Sequence, residues 1–461
     1  MTQQELTAGL ASYVCELQFA DLPADVVAMA KDVFLDAIGG QLACSTLPLC
    51  QMAIEYARQQ AGPADATVLG TEFRTGVEHA ALVNGILGHG DEIDEVLELF
   101  GHTSAVLVPA VLAVAEREHC SGEDLIVALV AGYDVASRLA IAGFSLDTLG
   151  PRNFQQASTA GSVASAAAAG KLLRLDQRTM QAAFGLAAEQ ACGLQAMRTE
   201  DGHMNKSLHM GVGSRNGVAA AYLARCGYGG VFDVLDPPYS MFEAFIPGAG
   251  RPEVLLEGLG ARFDILLTAI KYYSAGHPMH CAISGLLTIM DTHGLTVDDI
   301  ASVDLQMETL IKKMLSHSPT LNVNIEYIVT VAALERDVRW EHYTDEFRLR
   351  PEVQEFLGRV TSRGNPELDE FKQANPGARP AIATVTTTDG RTFSEQVLYP
   401  PGHPRNPVDR SRVRAKFRQW ATMVISDDQA DGLVSIVDEL EKLSDINALR
   451  DLLVPVTVAA T

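Results

Sequence analysis

Ile300-Ala-Ser-Val-Asp-Leu-Gln-Met307 alternates apolar and polar side chains, the period-two pattern of a strand with one buried face. Almost everything before residue 260 reads instead as helix, so this stretch marks a change of architecture. Downstream, Ala381–Thr388 and Thr392–Leu398 flank Asp389-Gly390, a strong hairpin signal. Helical patterns lie between them at Cys281–His293, Val323–Glu335 and Pro351–Val360, with Thr296-Val-Asp-Asp299 capping a further turn. Proline-rich Tyr399-Pro-Pro-Gly-His-Pro-Arg-Asn-Pro407 marks the exit, and residues 409–453 return to helix with Ser426-Asp-Asp-Gln429 as a capping box. The expected fold is mainly α: a large all-helical domain (1–264 and 399–461) carrying an inserted, smaller α+β domain (265–398).

Working back from that boundary, residues 3–20, 24–43 and 50–61 read as helices, with Pro23 at an early helical position. Residues 77–100 carry the helical reading into an acidic stretch. Residues 104–118 are apolar around Pro109, which should bend the helix or mark a new start. Ser121-Gly-Glu-Asp124 has capping-box spacing and opens a helix to about Ala142. The small side chains of residues 158–173 allow close helix approach, which puts this helix inside the bundle. Asp176 caps the next helix, through Leu194, and residues 209–227 supply one more.

Composition narrows the function. The 461 residues are 47% hydrophobic and 20% charged, enough for a large core. A net charge of −23 opposes nucleic acid and anionic membrane as partners, and an anionic small molecule would need a local basic pocket. Seven cysteines without a Cys-x-x-Cys pair give neither a zinc ribbon nor a disulfide framework. A reducing cytoplasm is the expected setting. The first residues lack the pattern of a signal peptide, and no uninterrupted apolar run approaches the ~18 residues of a membrane span.

Chemistry concentrates in His89-Gly-Asp-Glu-Ile-Asp-Glu95, followed by Gly101-His-Thr-Ser104. On a helix, Asp91, Asp94, Glu95 and Glu98 would share a face and repel one another. Such a run is solvated, bound to cations or used for proton chemistry; the plain alternative is an acidic solvent-facing helix with an ordinary histidine. Gly101 would end the helix in a left-handed cap, leaving His102 just past it. A histidine beside carboxylates has the parts of an acid–base pair tuned near neutral pH.

Three separated motifs share one resemblance. His89-x-x-Glu92-Ile-Asp94-Glu95 with His102-Thr-Ser104, Gly202-His-Met-Asn-Lys206-Ser-Leu-His209-Met-Gly211, and Lys271-Tyr-Tyr-Ser-Ala-Gly-His277-Pro-Met-His280 resemble signatures of the MmgE/PrpD family. The closing Pro-Gly-x-Pro-x-Asn-Pro and Lys416-Phe417 fit as well. Activities of that family include 2-methylcitrate dehydration, cis-aconitate decarboxylation and iminodisuccinate epimerisation. The resemblance implies a helical main domain, a smaller α+β lid and a homodimer, without cofactor or metal. It implies a catalytic set of His102, Lys206, His280 and Glu92. Around these, Gln155, His209, Asp94, His277 and Lys271 would bind a small carboxylate substrate. His102, Lys206 and His280 are expected to serve one pocket.

This chain departs from the family pattern at Glu92 (commonly Asp), Val96 (often Thr), Thr103 (usually Pro) and Gln155. In Phe154-Gln-Gln-Ala-Ser158 a glutamine replaces a catalytic-type histidine, and an amide cannot shuttle protons near pH 7. The leading reading is a cofactor-independent lyase of dehydratase or decarboxylase type on a small polycarboxylate, with cis-aconitate decarboxylation disfavoured by Gln155. The alternative is an epimerase or isomerase working by α-proton abstraction. A metal-dependent hydrolase using His89, Asp91 and Asp94, and a non-enzymatic helical interaction protein, are the remaining readings.

Overall fold

The computed structural model describes residues 5–60, 62–200 and 204–455. The chain is mainly helical and divides into two compact units. One comprises Met1–Gly90, Asp94–Thr268 and Asp409–Thr461, the other Asp91–Ile93 with Ala269–Val408. Among the described residues no single helix is long and apolar enough to cross a membrane.

The first unit is built from helices whose small residues let backbones meet. Of the Ala160–Leu172 helix, only Lys171 is not fully buried. The Met204–Arg225 helix packs onto it so closely that a Cβ on Gly217 would fall 2.3 Å from Ser165 Cβ, and one on Gly213 would fall 2.2 Å from Ala157 O. The same helix meets Val77–Gly88 through a second glycine contact: a Cβ on Gly85 would lie 2.6 Å from Gly211 Cα. Side chains of ordinary size would hold these axes at the usual 8–10 Å or more.

Several boundaries differ from those read off the pattern. Leu6–Glu16 is helical, Phe19–Asp21 is a 3-10 turn, and Pro23 precedes the Ala24–Cys44 helix as its N-cap. The Ser104–Glu118 helix has no new start at Pro109. Residues Ser104 to Glu116 are all buried, so packing on every side outweighs the one backbone bond that proline removes. Ser121 and Asp124 form the expected capping box, and Asp176 accepts from Thr179 N at the next helix start.

The largest correction concerns residues 89–100. The helix ends at Gly88, and the acidic stretch is turns and a short bridge between Leu97 and Gly101. Its carboxylates are buried, not solvent-facing: Asp91, Glu92, Asp94 and Glu95 are each at most 4% exposed. A helix would stack these charges on one face, whereas the turns send each to a different partner. Gly101, at φ 99°, serves the Leu97–Gly101 bridge and caps no helix.

The second unit holds a four-stranded sheet in the order Val360–Gly364, Ile300–Met307, Ala381–Thr387, Thr392–Val397. The expected strand and hairpin are present, and Gly390 adopts φ 88° at the turn. The helix read as Pro351–Val360 ends at Leu357, and Val360, its expected last residue, instead opens the strand Val360–Gly364, parallel to Ile300–Met307. Two helices, Pro351–Leu357 and Pro366–Ala374, flank it. The His280–His293 helix covers the sheet, with Ile283, Leu286 and Ile289 buried in the same core as Val303, Leu305 and Val385. Burying each such side chain contributes about 1.5–3 kcal/mol.

Candidate active site

In the first unit the Val77–Gly88 helix delivers His89 as its C-cap, and two imidazoles share one carboxylate. His89 Nδ1 lies 2.8 Å from Asp94 Oδ1, and His102 Nδ1 lies 3.0 Å from Asp94 Oδ2. The rings are 4.1 Å apart at an angle of 55°. A ring nitrogen facing a carboxylate carries hydrogen, so both histidines hold their proton on Nδ1 and present Nε2 as the basic atom. His89 is fully buried, while the His102 side chain is 14% exposed, so His102 is the member of the pair that reaches outward.

Glu95 is buried behind them. Its Oε1 accepts from Ser104 N at 2.5 Å and from Tyr133 OH at 2.6 Å. Burial pushes its carboxyl up to about 8, with the nearby charges of Asp94 and Asp36 adding to the rise and the two hydrogen bonds opposing it. Asp36 in turn forms a buried ion pair with Lys416, the lysine of the expected closing motif.

The Met204–Arg225 helix carries Lys206 and His209 in its first two turns. Ser207 Oγ donates to His89 O at 2.5 Å, so the glycine contact that joins the two helices also holds this helix end beside the histidine pair. Lys206 is half-buried; Gly202 and His203 of the same motif lie outside the described residues. Burial lowers the His209 basicity, partly offset by Glu200. Gln155 is buried in the loop before the Ala160–Leu172 helix, and its Oε1 accepts from Ala157 N at 2.6 Å. That carbonyl is already used by its own loop, which leaves Nε2 as the donor.

In the second unit, Lys271 Nζ lies 2.9 Å from Glu92 Oε2. Asp91 accepts from Asn322 Nδ2 at 2.9 Å and from Ser274 Oγ, and burial raises its carboxyl. Both Asp91 oxygens are thus engaged by hydrogen-bond donors, which argues against its use in the His89–Asp91–Asp94 metal set. His89, Asp94 and His102 do offer donor atoms within 4.8 Å of one another. However, both Nδ1 atoms already face Asp94, the geometry of a hydrogen-bonded proton relay.

His280 opens its helix with Nε2 3.1 Å from Ala275 O. Nε2 therefore carries the hydrogen, which makes Nδ1 the basic atom of this ring. His277 sits 6.0 Å away ring to ring, and burial, followed by the charges of His280, Arg379, Lys271 and His403, holds it well below the ordinary range. It is neutral at pH 7.

Asp94, His102, Gln155, Lys206 and His209 lie in the first unit, and Lys271, His277 and His280 in the second; Glu92, expected within the helical domain, belongs to the second unit with residues 91–93. Sequence reasoning missed Tyr133, Asn322, Ser274 and His403. His403 is 1% exposed in the proline-rich loop, where a Cβ on Gly402 would fall 2.2 Å from Ile270 O, next to Lys271. Its signal was the histidine inside Pro-Gly-His-Pro; Tyr133 and Asn322 carried none.

Two imidazoles on one buried carboxylate are equipped to move a proton. Residues 8–253 match the MmgE/PrpD N-terminal domain and residues 273–442 the MmgE/PrpD C-terminal domain, so the chain belongs to the MmgE/PrpD family. It is similar to the cis-aconitate decarboxylase-like protein oryM of Aspergillus oryzae, 28% identical over 97% of each chain. Cis-aconitate decarboxylases of Aspergillus terreus (26% identical, 97% of this chain and 96% of the relative) and Homo sapiens (26%, 98% and 95%) are similar as well. The chain is an enzyme of the lyase class, of dehydratase or decarboxylase type.

Proposed function

We propose that the protein is a cofactor-independent lyase that removes a proton beside a carboxylate of a small polycarboxylate and expels the neighbouring group, by dehydration in the first instance. The observation that carries this reading is the His102–Asp94–His89 array, which sets His102 Nε2 as a base and stabilises the imidazolium that forms. Lys206 neutralises the negative charge that grows on the substrate carboxylate as the proton leaves. The family resemblance assigns His280 and Glu92 to the catalytic set, and His209, His277 and Lys271 to binding carboxylates. The working assembly is a homodimer, which light scattering tests.

Gln155 favours a second reading. Loss of carbon dioxide leaves a carbanion that must be protonated, and an amide supplies no such proton near pH 7. An epimerase needs no acid for a leaving group, and the proton it returns to the opposite face of the same carbon comes from the protonated form of a second base such as His280, so Gln155 need only hydrogen-bond. A panel of tri- and dicarboxylates followed by proton NMR in deuterated water separates the readings. New olefinic signals mark elimination, whereas deuterium exchange with retention of the carbon skeleton marks epimerisation. Undiminished turnover in a folded His102→Asn variant removes the proposed mechanism. Turnover that disappears with a chelator and returns with a divalent metal removes the cofactor-independent reading.

A further inference from the structure

We propose that Glu95 is a positioning residue for His102, acting as one rung of a two-rung clamp whose other rung is Asp94. Asp94 and Glu95 are adjacent, and their partners are two residues apart on the returning strand of the same loop. Asp94 Oδ2 meets the His102 ring at 3.0 Å, and Glu95 Oε1 takes Ser104 N–H at 2.5 Å. Beyond the rungs, toward its tip, the loop is closed by reciprocal 2.8 Å backbone bonds between Leu97 and Gly101. Its tip turns through Leu99 at φ 64° and Gly101 at φ 99°.

The clamp has an anchor outside the loop. Tyr133, fully buried in the middle of the Gly122–Ile141 helix, donates to the same Glu95 oxygen at 2.6 Å. Ser104 is the first residue of its helix, and the Thr103 side chain makes no capping bond. Glu95 therefore satisfies an N–H that a helix start otherwise leaves open. The other Glu95 oxygen, Oε2, is buried and has no partner among the described residues. A charged carboxylate would be poorly served there, in keeping with a carboxyl pushed up to about 8 and neutral at pH 7. One oxygen thus fixes the backbone two residues beyond His102 to a rigid core helix, and the imidazole inherits that placement.

This inference rests on the proposed role of His102 as the base, so the experiment reads the imidazole separately from turnover. Protein labelled at histidine is titrated by NMR, with the His102 resonance assigned by its loss in His102→Asn. Glu95→Gln keeps a neutral group with an acceptor oxygen for both donors. It should preserve the His102 titration and keep kcat within about threefold. Glu95→Ala removes the rung and should move or broaden the His102 resonance. It should also lower kcat by about tenfold or more at little-changed KM, since small misplacements of a reacting group are costly. Tyr133→Phe removes one of the two bonds and should give a smaller shift in the same direction, which covers the case of a poorly folded alanine variant. A His102 titration identical to wild type in folded Glu95→Ala and Tyr133→Phe overturns the clamp. Undiminished turnover in folded His102→Asn overturns the proposed function and leaves the clamp to stand on the imidazole readout.

Discussion

Glu92 Oε2 lies 2.9 Å from Lys271 Nζ, and neither side chain is more than 1% exposed. Removing one member of such a pair takes from the other the opposite charge that offsets its burial. Glu92→Gln and Lys271→Met are each expected to cost about 3–5 kcal/mol of stability, measured by urea denaturation. The double variant should be more stable than either single one. Glu92→Asp, which restores the common family residue, shortens the side chain by one methylene and should weaken the pair less.

Lys206 is expected to be needed for turnover and dispensable for folding. Lys206→Ala should cut kcat/KM by the value of a charge-assisted contact, about 1.5–3 kcal/mol, and by more where the substrate carboxylate is left desolvated. Its circular dichroism and melting should match wild type. Lys206→Arg should be impaired too, because a planar fork does not replace a compact ammonium. Near-normal efficiency in either folded variant would count against the role.

Gln155 is expected to decide the reaction type. Wild-type protein incubated with cis-aconitate should release little or no carbon dioxide, and Gln155→His should gain that activity. The carbonyl of Gln155 is tied to Ala157 N, so the histidine must also keep that loop in place. Robust carbon dioxide release by the wild type would show that this position does not control the chemistry.

Stability should fall as pH rises through about 6 because of Asp134. This carboxyl accepts from Tyr13 OH and from Asp264 N at 2.7 Å, yet burial raises it from 3.8 to about 6. The folded state holds the proton more tightly than the unfolded chain. Its contribution is therefore complete below about pH 4 and is lost as pH climbs through 6. Asp134→Asn should flatten that part of the curve of melting temperature against pH. An unchanged slope between pH 4 and pH 7 would refute the assignment.

How much was legible follows from the range of the forces involved. The Ile300–Met307 strand, the hairpin at Asp389-Gly390 and the caps at Ser121, Asp176 and Ser426 depend on neighbours a few residues away, so local pattern determined them. Asp94, His102, Lys206 and Lys271 were recognisable because their spacing forms motifs. Tertiary structure alone decided what their surroundings do to them. The acidic stretch is locally a helix candidate, but its carboxylates are paired by partners that a helix would not bring to them. Asp94 takes two imidazoles, Glu92 takes Lys271 from 179 residues away, and Glu95 takes Tyr133 from 38. Val360–Gly364 likewise becomes a strand only because Ile300–Met307 offers it an edge. Local sequence sets which backbone states are cheap, whereas burial and charge pairing, which act between residues far apart in the chain, choose among them.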